Sequence, residues 1–384
     1  MKEYKLGEIA TFSQGVQVDV EFQVFDKKEG YVRFVRIVDY TKRGEEIPRY
    51  IKNPGEKYLV SESDLIMIRY GSQTAGKVVR GISGAIANNM FKINLDESIV
   101  DKGYMYYLLS RDIIQNYLMQ SQASSTMPAI TFGMMAKLDV IVPPLEEQKR
   151  IASILSSLDE KIDLLHRENA TLEAMAETLF KEFVLNKDND GTLEQIIVVQ
   201  NGYAFKSKDF KERGDHQIVK IKNILNGVVD IDLTDCVDDS VVAGIPMKFK
   251  INNGDVLIAM TGAEIGKLGI TPKTRKSLWL NQRVGLLKEK YRGSRYLAYL
   301  QLKSDFGQDY IENAATGSAQ PNISGVGIEK CGFPNLSEDE RIQISQGIGK
   351  FYDKIIFNLG KINNIKDLKD NLLNKLMSNG INLF

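Results

Sequence analysis

Residues 145–185, LEEQKRIASILSSLDEKIDLLHRENATLEAMAETLFKEFVL, contain neither glycine nor proline. Their apolar positions fall at Ile151, Leu155, Leu158, Ile162 and Leu165, then, after Asn169, at Leu172, Ala176, Leu179 and Phe183. Steps that alternate between four and three mark the seam of a coiled-coil helix. At about 1.5 Å per residue, such a helix is a rod roughly 60 Å long. Asp188-Asn-Asp-Gly191 supplies its stop signal.

The seam returns 193 residues later, from Ile151 to Ile344, as Ile344, Ile348, Phe351, Ile355, Asn358, Ile362, Ile365, Lys369, Leu372 and Leu376. Ser337 with Glu340 forms a capping-box start, and Asn379-Gly380 a stop. Each seam carries a central Asn, Asn169 and Asn358, at positions that do not correspond, and a seam Asn fixes register at some cost in stability. Two rods in one chain are expected to pack antiparallel.

What precedes each rod is also repeated. Leu193-Glu-Gln-Ile with Gly202 echoes Leu6-Gly-Glu-Ile with Gly15, and Asp255-Val-Leu-Ile-Ala-Met-Thr-Gly262 echoes Asp64-Leu-Ile-Met-Ile-Arg-Tyr-Gly71. Gly266-Lys267 answers Gly76-Lys77, and Pro321-Asn-Ile323 answers Pro128-Ala-Ile130. Residues 31–38, 64–69 and 138–144 read as strands, 104–118 and 296–310 as helical intervals, and 121–128 as a polar loop. The expected fold is therefore α+β and internally duplicated. It comprises a β-rich domain (1–143), a central rod (144–187), a second β-rich domain (188–334) and a C-terminal rod (335–384), related by a pseudo-twofold axis.

Composition narrows the function classes. Apolar content is 43% and net charge zero, which argues against binding nucleic acid through bulk charge alone. Local charge is segregated. Residues 27–52 hold eight basic and four acidic residues, 69–80 three basic and none acidic, and 264–283 five basic and one acidic, whereas 230–239 hold five aspartates and no base. No apolar run reaches the length of a membrane span and no secretory h-region opens the chain, so a cytoplasmic location is expected. Cys236 and Cys331 with His166 and His216 offer no zinc spacing.

No segment offers a complete catalytic set. Gly71-Ser-Gln-Thr-Ala-Gly76-Lys77 approaches a phosphate-binding loop, but Val78 follows where Ser or Thr would hold Mg²⁺, and 78–93 reads as strand rather than helix. His166 falls on the outer face of the first rod, and His216 in a charged loop. A binder is expected, with no catalytic residue and no metal site. Two alternatives stand beside it: a coiled-coil scaffold whose β domains bind proteins, and an enzyme with a site in the glycine turns.

The order of elements, with Val-Pro-Pro-Leu-Glu-Glu-Gln-Lys-Arg-Ile at 142–151 opening the first rod and the Asp-x-Leu-Ile…Gly-Lys stretch inside the duplication, resembles the specificity (S) subunit of Type I restriction–modification enzymes. The second rod start, Pro334-Asn-Leu-Ser-Glu-Asp-Glu-Arg-Ile, lacks the second Pro and the Gln. The resemblance implies two target-recognition domains, each reading half of a bipartite site on double-stranded DNA. It implies rods that act as spacer and dock two methyltransferase (M) subunits, with two ATP-driven nuclease (R) subunits joining for restriction. S-adenosylmethionine, ATP and Mg²⁺ would belong to those partners. Rods of about 60 Å exceed one turn of B-DNA, roughly 34–36 Å.

Base and phosphate contacts are expected on exposed loops with forked side chains. In the first domain these are Ser72, Gln73, Thr74 and Lys77, with Lys42 and Arg43 on phosphates. In the second they are Thr261, Glu264 and Lys267, then Asn281, Gln282 and Arg283, with Tyr203, Lys206 and Lys208. Near-neutral charge predicts weak DNA binding by this chain alone.

Overall fold

The computed structural model describes residues 1–42, 46–120, 129–184, 187–317 and 321–377. Two compact units divide the chain: Met1–Glu160 with Lys366–Phe384, and Lys161–Ile365. The rods are the helices Leu145–Val184 and Glu338–Leu376, and each contributes residues to both units.

In the first unit, one sheet runs in the order Ala10–Gln14, Met90–Leu95, Leu65–Ile68, Val78–Val79, all antiparallel. A second runs Arg49–Lys52, Tyr31–Val35, Gly84–Ile86, Leu59–Val60, with its central pair parallel. Lys2–Lys5 pairs with Asp139–Val142. Every residue of Leu65–Ile68 is buried, because one face of this strand packs into each of two cores. Such a strand reads as an unbroken apolar run rather than an alternation.

The second unit repeats this plan. One sheet runs Ile197–Asn201, Val284–Glu289, Val256–Ala259, Leu268–Ile270, and another runs Asp235–Val237, His216–Val219, Ser277–Leu280, Lys250–Ile251, again with a parallel central pair. Gly191–Thr192 pairs with Gly332–Phe333. One feature is new. Between strands that correspond to Tyr31–Val35 and Arg49–Lys52, where the first unit has the helix Ile37–Thr41, the second has a hairpin of Ile224–Leu225 and Gly227–Val229 that extends the first sheet to six strands. Its turn is Asn226-Gly227, both at positive φ, the usual chemistry of a two-residue hairpin loop.

Each helical interval is two helices rather than one: Lys102–Leu109 and Asp112–Gln120, then Ser294–Lys303 and Asp305–Ala314. The break in the second interval is Ser304, whose hydroxyl accepts from Gly307 N and caps the following helix. The polar loop 121–128 and the stop at Asn379-Gly380 lie outside the described residues.

Within the second unit the rods run antiparallel. Asn358 Nδ2 donates to Asn169 Oδ1 at 2.9 Å, and Lys187 pairs with Glu340 at 2.9 Å, so partner numbers fall as the first rod advances. The two seam asparagines, offset in sequence, thus meet. The Ser337–Glu340 capping box forms (Ser337 N to Glu340 Oε2 2.9 Å). The Lys187 ammonium, helped by Ser337, pulls the Glu340 carboxyl down to about 2.

The heptad seam needs correction in two places. Leu158, Leu172, Leu179, Phe183, Phe351 and Ile365 are only half-buried, whereas Phe180, off the seam, is buried. From Ile344 to Ile362 the second rod also buries Ser345, Gly349, Tyr352, Ile356, Leu359 and Gly360. That face is wider than a two-position stripe because this rod packs on its β-rich domain as well as on its partner: Tyr352 stacks on Tyr296 with ring centroids 4.6 Å apart. In the first unit, Ile151, Ala152 and Leu155 join the domain core, with Leu372, Leu373 and Leu376 packed against it.

Candidate nucleic-acid interface

Gly15 and Gly202, the glycines that opened the sequence repeat, do the same job in each unit. A Cβ on Gly15 would collide with the Ala87 carbonyl, and one on Gly202 with the Asn281 carbonyl. This close approach joins the chain after the first strand to the turn before the long strand, through Val16 N to Ile86 O (2.8 Å) and Tyr203 N to Leu280 O (2.8 Å). The next loop is tied to the same end by Arg69 N to Asn89 O (3.0 Å) and Met260 N to Arg283 O (3.1 Å). A fourth segment closes it through Ile130 N to Arg69 O and Ile323 N to Met260 O, both 3.0 Å. Four loops therefore converge at one end of the main sheet, by the same backbone bonds in both units.

The glycine turns lie at this end. In the first unit, Gly71 and Gly76 have positive φ, and Ala75 N, Gly76 N and Lys77 N bond back to Gly71, Ile68 and Thr74 carbonyls. A strand, Val78–Val79, follows, so no helix N-terminus awaits a phosphate and the nucleotide-loop reading fails. Ser72, Gln73 and Lys77 are exposed. Thr74 is half-buried, and its hydroxyl donates to the Tyr70 carbonyl at 3.0 Å, which leaves it acceptor capacity only. Among the described residues no ion pair reaches Lys77.

The second turn differs. Lys267 is held by Glu264 at 2.5 Å, and the Thr261 hydroxyl is buried while its backbone bridges Asn322. Thr261 is thus turned away from the surface where a base contact was expected. Gln282 and Arg283 are exposed, and Asn281 is half-buried with its backbone in the turn. Tyr203 stands edge-on to Phe205 and Phe249, at 5.1 and 5.4 Å, and Lys206 and Lys208 are exposed beside it. Lys42 caps Ile37–Thr41 and is exposed; Arg43 lies outside the described residues.

Side chains absent from the sequence-based set also gather here. Arg69 Nη1 donates to Gln14 Oε1 (2.8 Å), Gln14 Nε2 donates to the Asn88 carbonyl, and Asn88 Nδ2 donates to Gln17 Oε1 (3.2 Å). Applying the repeat to Asn281, Gln282 and Arg283 points to Ala87, Asn88 and Asn89, which was the available signal.

His216 is not in a charged loop but in the strand His216–Val219, because it sits within the β-pairing of the small sheet. Its Nε2 bonds Asp239 Oδ1 (2.6 Å) and its Nδ1 bonds Ser277 Oγ (2.8 Å). The acidic run is likewise absorbed within the unit. Asp232 pairs with Lys276, Asp235 with Lys220 and Lys222, and Asp238 with Lys211. Lysines neutralised in this way are poor candidates for phosphate contacts.

A duplicated α+β chain with the same loop cluster built twice is the architecture of a DNA-specificity subunit. The chain belongs to the family of the Type I restriction modification DNA specificity domain, whose model matches residues 1–174 and 187–367. It is 24% identical to the Type I restriction enzyme MjaVIII specificity subunit of Methanocaldococcus jannaschii, over 98% of this chain and 92% of that protein. It is 22% identical to the MjaIX specificity subunit of the same organism, over 76% and 71%. Its fold is similar to the crystal structure of a Type I restriction–modification S subunit from M. genitalium, with a TM-score of 0.59, 16% identity, and coverage of 98% and 95%. Among the described residues, no helix is long and apolar enough to cross a membrane.

Proposed function

We propose that this chain is the non-catalytic, sequence-reading subunit of a Type I restriction–modification complex, each β-rich domain reading one half of a bipartite duplex site. The observation that carries this reading is the loop cluster built twice from the same backbone bonds but with different exposed side chains. A duplicated scaffold with divergent loops suits two half-sites of different sequence. The rods set the gap between half-sites, since forty helical residues extend about 60 Å. They also dock two methyltransferase subunits, and apolar side chains such as Leu164, Met175 and Phe357, each more than 40% exposed, are the surface for it. Methyl transfer from S-adenosylmethionine belongs to those subunits, and ATP- and Mg²⁺-dependent cleavage to restriction subunits that join them.

Mapping methylated adenines in cells with and without this chain tests the proposal directly. A split motif that disappears with the chain supports it, and an unchanged methylation pattern rejects it. The lysines give a second test. For the complex with the methyltransferase, Lys77→Ala should lower the slope of log affinity against log salt by about 1. Lys267→Ala should lower it less, because Glu264 already neutralises that ammonium.

A further inference from the structure

We propose that Gln17 and Asn88 together read one adenine in the half-site of the first unit, an inference that rests on the proposed function above. Both residues are exposed, on the two segments that Gly15 brings into contact. Asn88 Nδ2 donates to Gln17 Oε1 at 3.2 Å. Each amide keeps the group its partner does not use: the Gln17 amino group as donor and the Asn88 carbonyl as acceptor. If both amides turned over, the same donor and acceptor would remain with their owners exchanged.

In the major groove, adenine alone presents an acceptor (N7) beside a donor (N6) on one base; guanine offers two acceptors, cytosine a donor and thymine an acceptor. The amide pair is the complement of adenine. It is also braced from behind, since Arg69 orients Gln14 (2.8 Å), and Gln14 in turn donates to the Asn88 carbonyl of the backbone. This contact holds the Asn88 backbone, and the two amides hold each other, so the pair loses less freedom on binding. Arg69 leads into the glycine turn that exposes Ser72, Gln73 and Lys77, so the pair is continuous with the candidate surface. The second unit lacks this reader. By the repeat, Ala204 stands where Gln17 does, and Gln282 with Arg283 stand where Asn88 and Asn89 do. The effect is therefore confined to one half-site.

The test uses the full chain co-expressed with its methyltransferase subunit, selected on duplexes with two randomised half-sites. Gln17→Ala and Asn88→Ala should each relax selection at one and the same A·T pair, by about ten- to a hundredfold, and leave the other half-site unchanged. Replacing that adenine by 7-deazaadenine should weaken the wild-type complex and leave unaffected whichever of the Gln17→Ala and Asn88→Ala complexes lacks the donor to N7. If the wild-type complex selects a split motif but neither variant relaxes any position, the amide pair is not a reader and the proposed function stands. A wild-type complex that selects no motif removes both.

Discussion

The two units attach their domains to the rods by different chemistry in the same places. In the first unit Gln148, fully buried at the start of the first rod, accepts from Asp101 N (2.9 Å) and donates to the Ile99 and Pro143 carbonyls (3.1 and 2.8 Å). Its counterpart in the second unit is Arg341, which bonds the Leu336 carbonyl at 2.8 Å, the equivalent of the Pro143 bond alone. Further along, Tyr107 donates to Asp159 (2.6 Å), which also pairs with Lys369 (2.7 Å). Where the repeat places Asp159, the second unit has Tyr352, stacked on Tyr296 and edge-on to Tyr299. Tyr299 instead donates to Glu173 (3.1 Å), which Lys303 holds at 2.7 Å. Burial, followed by the neighbouring carboxylate, pushes both phenols far up, so each remains a donor. At the position of Asp159 an aromatic stack replaces the ion pair, while a Tyr–carboxylate–Lys network persists in the second unit through Tyr299, Glu173 and Lys303.

The largest break in this comparison should come from Tyr352→Ala. A fully buried ring is removed from a stack of three, and loss of a large aromatic typically costs about 3–5 kcal/mol. Hydrogen exchange should quicken across Lys161–Ile365 and stay nearly unchanged in the first unit; uniform quickening would mean that the units do not hold separate stabilities. Tyr352→Phe should be neutral or stabilising, because the hydroxyl is buried and without a partner among the described residues. Gln148→Ala should come next, at about 2–3 kcal/mol on chemical denaturation, since it strands one buried donor and two acceptors. Arg341→Ala, with one carbonyl bond and partial exposure, should cost about 1 kcal/mol or less.

The seam asparagines offer a smaller and differently shaped effect. Asn358→Leu alone leaves Asn169 facing an apolar side chain and should destabilise the second unit by about 1–3 kcal/mol. The double change Asn169→Leu with Asn358→Leu should recover that loss, because Asn169 Nδ2 and Asn358 Oδ1 already lack partners among the described residues. What the double variant should lose is register, seen as methylation of sites whose two halves are one base pair closer or farther apart. Methylation confined to the original spacing would show that packing alone fixes the rods.

Much of the fold was legible because rods and repeats leave periodic marks. A glycine-free seam of 3-4 spacing announces a helix whatever surrounds it, and its copy 193 residues later announces duplication. The echo of Gly15 in Gly202 was visible too, although its cause, backbone against backbone, was not. Other features needed tertiary contacts. The width of the buried face around Tyr352 depends on Tyr296 and Tyr299, which lie over 50 residues away, and periodicity within the rod cannot register them. Of the candidate site, the loops were legible in the sequence but the contacts of their side chains were not. Spacing alone leaves Lys267 a free cation, whereas in the fold Glu264 lies against it, and Gln17 and Asn88 acquire meaning only where they touch.

The smallest effect concerns Asp64 and Asp255, which the repeat aligns and which titrate in opposite directions. Each accepts a backbone N–H three residues earlier, Ser61 N at 2.8 Å and Asn252 N at 2.7 Å. Burial acts to raise Asp64, but Lys92 at 2.8 Å and the Ser61 donors outweigh it, and its carboxyl lies below the ordinary range. Burial of Asp255 prevails over Asn252 and Arg295, and its carboxyl lies above that range. A lowered carboxylate contributes stability that is present above its unfolded value, near 3.9, and lost as pH falls through the folded value. A raised one contributes stability that is present below about 3.9 and lost as pH rises through the folded value. Asp64→Asn should therefore destabilise the first unit at pH 7, and by less as pH falls through the folded value. Asp255→Asn should be neutral or stabilising at pH 7, where Arg295 keeps Glu289 at 3.0 Å as its partner. Thermal unfolding of both variants from pH 2 to 8 measures the two slopes; the same sign in both would mean that Arg295 at 2.6 Å dominates Asp255 despite its burial.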